Sequence, residues 1–382
     1  MKKKICFVVA DPSTAHAFLR DHIQALSQQY AVYLAAHITS GEQVQGLALE
    51  GWKSIDIERG MSPAKDLRAV WQLKRYFREM QFDAVHSVTP KAGLVSALAG
   101  KMAGIRHRTH VFTGQVWCTR KGPMRWLLKS IDKIIVRLDN HILVDGKSQR
   151  AFLVREGVLK EGEALVFAQG SISGANVTRF APDATARKEI RARLGIKDAT
   201  LCFLFLGRLN RDKGIGELFE AFNRPAEEEK NVFLLLVGPD EGGYARRADE
   251  YRHLVPGKNY CYFGRTEQPE KLLNAGDVLV LPTYREGFGT SVIEAACVGL
   301  PCICSDAYGV LDAYIEGETG LRCQVGDVRS LYDCMKQMCA NPALVGQMGQ
   351  KSRDRALRDF SGERLTECWK EFYQSLLSGK TE

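Results

Sequence analysis

The sequence predicts an α/β protein of two domains in tandem, each a parallel sheet covered on both faces by helices, and three observations carry that prediction. The chain has 382 residues, more than one hydrophobic core usually serves. Short apolar runs of strand length alternate with longer segments of helical periodicity, the rhythm that places strands side by side in parallel. Between residues 170 and 182 the rhythm lapses into GSISGANVTRFAP, poor in apolar residues and closed by Pro182, which reads as an inter-domain connection. Hydrophobic and charged fractions of 45% and 26% belong to an ordinary globular chain and exclude extensive disorder.

In the first half, residues 5–10 form a continuous apolar strand, and Ser13 or Thr14 is placed to cap a helix carrying Phe18, Leu19, Ile23 and Leu26. A strand follows at 31–36, a basic amphipathic helix at 63–80, a short strand at 84–87 and an Ala- and Gly-rich helix at 91–103. Further strands are expected at 109–112, 141–144 and 165–168. Ligands on such sheets bind outside the carboxyl ends of the strands. There the chain keeps Asp11 and His16, then HSVTPK from His86 to Lys91, then TGQVWCTRK from Thr113 to Lys121. His16 and His86 are candidate catalytic groups, the alternative for each being an ordinary hydrogen-bonded histidine.

Residues 123–138, PMRWLLKSIDKIIVRL, put Trp126, Leu127, Ile131, Ile134, Ile135 and Leu138 on or near one helical face flanked by Arg125, Lys129, Lys133 and Arg137. Such a helix either lies on a membrane surface or packs its apolar face on the domain core. Charge favours the first: residues 1–170 hold 25 Lys and Arg against 15 Asp and Glu, whereas the remainder is nearly balanced. A basic half fits nucleic acid, an anionic lipid surface or a phosphorylated substrate, and it is the motifs that follow, not the charge, that make nucleic acid not the expected partner.

The second half repeats the rhythm with strands at 201–206, 232–237, 260–263, 278–281 and 301–305, and closes with helices at 330–338, 342–357 and 362–377. Three of its turns carry chemistry. The first strand is followed by Gly207 and Arg208, with Lys213-Gly214 where the next helix begins; this spacing suits a forked donor and a compact charge on a diphosphate. Gly238-Pro239 closes the second strand. The third turn lies in VLVLPTYREGFGTSVIEAACVG, residues 278–299, where a strand breaks at Pro282, passes a glycine loop and becomes a helix near Thr290. Its glycines admit a ligand to the backbone, and the helix N-terminus suits a phosphate. Glu286 and Glu294, eight positions apart, flank that point, Glu286 for a sugar and Glu294 for ribose hydroxyls. The expected pocket holds a nucleoside diphosphate.

The eleven cysteines show no CxxC pair, so neither a zinc site nor a disulfide framework is expected. The apolar run at 5–10 is too short for a signal peptide, and no stretch approaches the roughly 20 apolar residues of a membrane span. A cytoplasmic protein is expected.

FLGRLNRDKG, LLLVGPDEGG, FGRTEQPEKLLNAGDVLVLPTYREGFGTSVIEAACVGLPCICSD and IEGETGL together resemble the family 4 retaining glycosyltransferases. DAVHSVTPKAGL and HVFTGQVW resemble, more locally, the subgroup that builds bacterial surface polysaccharide on a polyprenyl-diphosphate carrier. The resemblance implies the GT-B fold, two Rossmann-like domains facing across a cleft: an acceptor-binding domain at 1–169, a donor-binding domain at 170–361, and a last helix, within 362–382, packing back on the first. It implies that Gly207, Arg208 and Lys213 hold the donor diphosphate, that Gly289, Thr290 and Ser291 line the phosphate and sugar site, and that Glu294 and Glu286 meet the ribose and the transferred sugar. It further implies a UDP-sugar donor of the HexNAc or a related class, a lipid-linked glycan acceptor, transfer with retention, no cofactor and no metal, and a peripheral place on the inner face of the membrane. Two departures stand out. Asp11-Pro12-Ser13-Thr14 replaces the glycine-rich turn many members have, and Thr113 precedes Gly114 where many have histidine. His16, His86 and Thr113 are therefore candidates for the first-domain catalytic role. The competing readings are a 2-epimerase of UDP-N-acetylglucosamine on the same fold and a non-enzymatic sugar-nucleotide binder. A nicotinamide oxidoreductase is disfavoured because neither domain has a GxGxxG turn after its first strand.

Overall fold

The alternation read from the sequence becomes two all-parallel sheets, one in each of two units. The computed structural model describes residues 2–57, 60, 62–228 and 231–378. Unit 1 comprises Met1–Ser173 with Gly362–Glu382, and unit 2 comprises Gly174–Ser361. Residues 379–382 of the expected C-terminal segment lie outside the described residues.

Unit 1 runs β1 (Lys4–Val8), α1 (Pro12–Phe18), α2 (Arg20–Leu26), β2 (Ala31–Ala36), β3 (Gly51–Ser54), α3 (Pro63–Met80), β4 (Ala84–Val88), α4 (Pro90–Ala103), β5 (His107–Phe112), α5 (Gly122–Leu138), β6 (His141–Val144), α6 (Lys147–Arg155) and β7 (Ala164–Leu165). Its seven strands lie in the order β3-β2-β1-β4-β5-β6-β7. Asp11, rather than Ser13 or Thr14, caps α1: its carboxylate accepts the Ser13 N–H at 2.9 Å, and Pro12 opens the helix. The single helix expected here is two, parted at Leu19. The last expected strand shortens to two residues, and Ala168 beyond it turns to a φ of +47°.

Alternation divides β1 between two cores. Ile5 and Phe7 pack with α2 and with the chain's last helix, whereas Cys6 and Val8 pack with α3 and α4. Helix α5 forms where expected but is turned outward. Its buried residues are Asp132 and Ile135, while Trp126 is 72% exposed and Met124, Leu127 and Ile134 are also exposed. The burial of Asp132 has a partner: its carboxylate accepts the indole N–H of Trp117 at 2.7 Å. Burial still pushes the Asp132 carboxyl up to about 7, the Trp117 bond opposing it.

Unit 2 runs α7 (Ala184–Leu194), β8 (Leu201–Leu206), α8 (Ile215–Glu228), β9 (Val232–Val237), α9 (Tyr244–Arg247), β10 (Tyr260–Gly264), α10 (Pro269–Ala275), β11 (Val278–Leu281), α11 (Thr290–Cys297), β12 (Cys302–Ser305), β13 (Gly320–Cys323), α12 (Val328–Ala340) and α13 (Pro342–Asp359). The strand order is β10-β9-β8-β11-β12-β13. Strand order reverses between β8 and β11, which opens a crevice at their carboxyl ends. The final helix, α14 (Gly362–Leu377), belongs to unit 1, where Trp369 and Tyr373 are wholly buried. Two imidazoles stack on Trp369: His22 at 5.1 Å and His86 at 4.9 Å between ring centroids.

Candidate active site

Two loops meet at the β8/β11 switch point of unit 2. The first leaves β8 through Gly207 and Arg208 and tightens into a 3-10 turn, Arg211–Lys213, ended by Gly214. Gly214 has a φ of +69°, and a Cβ there would stand 2.1 Å from the carbonyl oxygen of Pro282. The backbone of the first loop is thus in contact with that of the second, which only glycine permits. The second loop leaves β11 at Pro282 and ends at Gly289, whose φ of +84° starts α11. Gly289 supplies no side-chain cap, so the first N–H groups of α11 lack a side-chain acceptor at that position. Thr290 and Ser291 form its first turn.

This geometry brings Lys213 and Glu286 together as a half-buried ion pair between Nζ and Oε1. Glu294 lies one turn inside α11, where burial pushes its carboxyl up to about 7; Arg179 opposes that rise and Glu270 adds to it. Arg208 is more exposed and turned to a partner the sequence reading missed. Its Nη1 sits 3.2 Å from each carboxylate oxygen of Glu241, which also accepts the Asn210 side-chain amide at 2.8 Å. The signal for Glu241 was present in GPDEGG, the turn following β9. The neighbouring Asp240 is occupied differently: burial would raise its carboxyl, but backbone N–H groups of Ala245, Tyr244, Gly242 and Gly243 outweigh that and hold it low. One acid of the turn therefore shapes the loop and the other meets Arg208.

The unit 1 candidates separate. His16 is half-buried, its Nε2 3.0 Å from the Gln43 carbonyl oxygen. Thr113 is also half-buried, and its carbonyl accepts the side-chain amides of Gln115 at 2.8 Å and Gln149 at 2.7 Å. His86 is corrected from the mouth of the sheet to its interior. It is wholly buried within β4, with Nδ1 2.7 Å from the Tyr373 hydroxyl, so no face of the ring is open to a substrate. The strand continues to Val88 and every one of its residues is buried, so residue 86 lies inside the sheet whichever face it takes. Desolvation, reinforced by His110, His141 and His22, holds its pKa well below the ordinary value.

Among the described residues, no group of three or more His, Cys, Asp or Glu side chains could hold a metal ion, and no helix is long and apolar enough to cross a membrane.

Residues 19–168 match the glycosyl transferase 4-like domain family, and residues 186–355 match the glycosyl transferases group 1 family. The capsular polysaccharide biosynthesis glycosyltransferase CapM of Staphylococcus aureus is 26% identical over 379 residues, covering 99% of this chain and 98% of CapM. An Escherichia coli enzyme, UDP-Gal:alpha-D-GlcNAc-diphosphoundecaprenol alpha-1,3-galactosyltransferase, is 22% identical over 84% of this chain and 83% of its own. Among solved structures, Anabaena HepE in complex with UDP-glucose superposes with a TM-score of 0.80 at 17% identity, covering 97% of this chain and 99% of HepE. Sucrose-phosphate synthase from Thermosynechococcus elongatus gives a TM-score of 0.81 at 20% identity, covering 99% of this chain and all of that one (100%). With one family profile on each unit and both sheets in the expected parallel arrangement, the chain belongs to the family 4 glycosyltransferases and has the GT-B fold.

Proposed function

We propose that the protein transfers a sugar from a UDP-sugar, of the HexNAc or a related class, to a polyprenyl-diphosphate-linked or other glycan acceptor in surface polysaccharide synthesis, with retention at the anomeric carbon. The observation that carries this reading is the Lys213–Glu286 pair, whose Glu286 lies in the short loop that leads into α11 at Gly289, a helix start with no side-chain cap. A diphosphate beside Lys213 and the α11 N–H groups meets fixed positive charge. As the anomeric C–O bond breaks, negative charge grows on the departing phosphate, and Lys213 and Arg208 stabilise it more in the transition state than before. The released phosphate oxygen takes the proton of the attacking acceptor hydroxyl, so no separate base is assigned. Glu286, released from Lys213 by the phosphate, accepts hydroxyls of the transferred sugar, and Glu294 accepts those of the ribose. Charge neutralisation by these cations and the helix makes a metal unnecessary in this scheme. CapM supports a place in polysaccharide synthesis, the E. coli galactosyltransferase supports the lipid-linked acceptor, and the UDP-glucose complex of HepE supports the nucleotide.

The outer face of α5 is assigned to an anionic membrane surface at the cytoplasmic side. Arg125 and Lys129 are both committed to Glu156 at 2.7 Å, so contact falls to exposed Trp126 and Leu127 with Lys133 and Arg137.

The test is a nucleotide-release screen of UDP- and GDP-sugars with polyprenyl-diphosphate-sugar acceptors, with the product linkage read by NMR. Retained α-configuration and UDP release are expected. A sugar epimerised while still attached to UDP would overturn the transfer reading.

A further inference from the structure

We propose that Thr283 is a positioning residue that sets Lys213 against Glu286, and so holds the two donor loops in the register that a diphosphate requires. The inference rests on the proposed role of those two residues and adds to it the group that fixes their separation.

Thr283 follows Pro282 at the carboxyl end of β11 and is wholly buried. Its hydroxyl lies 2.9 Å from two carbonyl oxygens, that of Asp212 in the first loop and that of Arg285 in its own. One proton serves both acceptors, which ties the loops at a single point. The carbonyl of Thr283 accepts the hydroxyl of Ser305, itself wholly buried at the end of β12, so the point is anchored to the sheet. The next two residues repeat the tie. The Tyr284 N–H donates to the same Asp212 carbonyl at 2.8 Å, and the Arg285 side chain meets the Asp212 carboxylate at 2.8 Å.

The sequence positions make the consequence specific. Asp212 immediately precedes Lys213, and residues 283 to 285 immediately precede Glu286. On the other side of Lys213, Gly214 packs its backbone on the Pro282 carbonyl. Each member of the ion pair thus hangs from a backbone segment cross-linked to that of the other. The outer tie, Arg285 to Asp212, is partly exposed and screened; the buried hydroxyl is the less yielding part. Removing it leaves the Tyr284 bond in place, so the loops stay folded but can slide. A displacement of about 1 Å is enough to cost up to roughly 10² in rate when charges must meet a developing anion.

The test uses the full chain, with UDP as the probe in calorimetry and UDP release from UDP-N-acetylglucosamine, UDP-glucose or UDP-galactose, whichever the wild type turns over. Thr283→Val keeps the shape and deletes the hydroxyl; it is expected to weaken UDP and lower turnover about tenfold, with a melting temperature lowered by only a few degrees as the Arg285 carbonyl loses this donor. Thr283→Ser restores the hydroxyl and is expected within about twofold of wild type. Ser305→Ala, which frees the Thr283 carbonyl, supplies an independent variant and is expected to cost about threefold. Lys213→Ala is the control for the donor reading. If Lys213→Ala loses UDP while Thr283→Val and Ser305→Ala retain wild-type affinity, the positioning role is overturned and the donor reading stands. Equal losses in Thr283→Val and Thr283→Ser overturn it too, because the hydroxyl is then irrelevant. A wild-type chain that does not bind UDP, or a Lys213→Ala chain that binds it normally, removes the donor reading and the inference with it.

Discussion

The carboxyl edges of the two sheets treat their polar residues in opposite ways. In unit 2 the strands stop, the loops begin, and Arg208, Lys213, Glu286 and Glu294 stand in or beside those loops. In unit 1 the histidine nearest the corresponding switch point, His86, is inside the sheet, stacked on Trp369 and bonded to Tyr373. His22 and His110 are buried likewise. The difference teaches that a polar residue near a strand end stands in a loop only if the strand has already ended; if the strand continues by two residues in a sheet covered on both faces, the same residue is buried in the core. Unit 2 keeps these charges in its loops, whereas much of the buried polarity of unit 1 holds α14 and the loop after β5.

The sharpest way to break this comparison is to remove the charge from unit 2. Lys213→Ala is expected to lower turnover by on the order of 10² or more while leaving the fold intact. A folded variant with wild-type nucleotide release would show that the unit 2 edge is not the chemical one. The second prediction concerns unit 1. Burial, opposed by the Ile172 carbonyl, lowers the His22 pKa from 6.5 to about 4. A histidine depressed in the fold contributes stability that is complete above 6.5 and lost as pH falls toward 4. The advantage of wild type over His22→Gln should therefore shrink across that window, by on the order of 3 kcal/mol. Denaturant titrations at several pH values, followed by tryptophan fluorescence, all five tryptophans lying in unit 1, check it; a difference that does not change with pH would mean that His22 is not held neutral. The comparison with the mutant matters because Asp132, whose carboxyl is raised, changes stability in the opposite sense over the same range.

Two smaller effects sharpen the division. Trp126→Ala with Leu127→Ala should reduce binding to vesicles containing anionic lipid about tenfold and leave nucleotide release in solution unchanged. Equal vesicle binding by the variant would detach α5 from any lipid role. Glu294→Gln should weaken UDP only a few-fold, and should abolish a modest rise in wild-type affinity as pH passes about 7 and the carboxylate forms. Calorimetry across that range would reject the ribose assignment if both proteins responded alike.

Most of unit 2 was legible because a parallel strand buried on both faces is a continuous apolar run. Leu201–Leu206, Val232–Val237 and Val278–Leu281 form at the residues where the sequence places them. The residues of the candidate site were legible for a related reason, since each lies within a few positions of a strand end or helix start. Their partners were not. Glu241 meets Arg208, and Asp212 meets Thr283, through folding rather than sequence proximity. In unit 1 the failures have local causes. Gly51–Ser54 is an edge strand with only a partly buried first residue, so it leaves no apolar run to read. Periodicity identified the stripe on α5 but could not say which side of the helix the domain would cover, because a buried Asp132–Trp117 hydrogen bond does what a leucine would do elsewhere. The 91–103 helix was legible through its small residues, and Gly93 shows why they are needed: a Cβ there would come within 2.5 Å of the His110 ring.

The return of α14 to unit 1 has a consequence for how the molecule is made. Part of the core that Phe7 and His22 enter is supplied by Trp369, Tyr373 and Leu377, on a helix synthesised after all of unit 2. Unit 2, whose residues form one uninterrupted stretch, can complete its own core before that helix has been synthesised. Unit 1, begun first, can therefore complete this core only after all of unit 2 has been synthesised. The chain crosses between the units twice: a proteolytic cut at the second crossing leaves residues 1–361 one covalent chain, whereas a cut at the first leaves residues 1–173 joined to the rest only through the packing of α14.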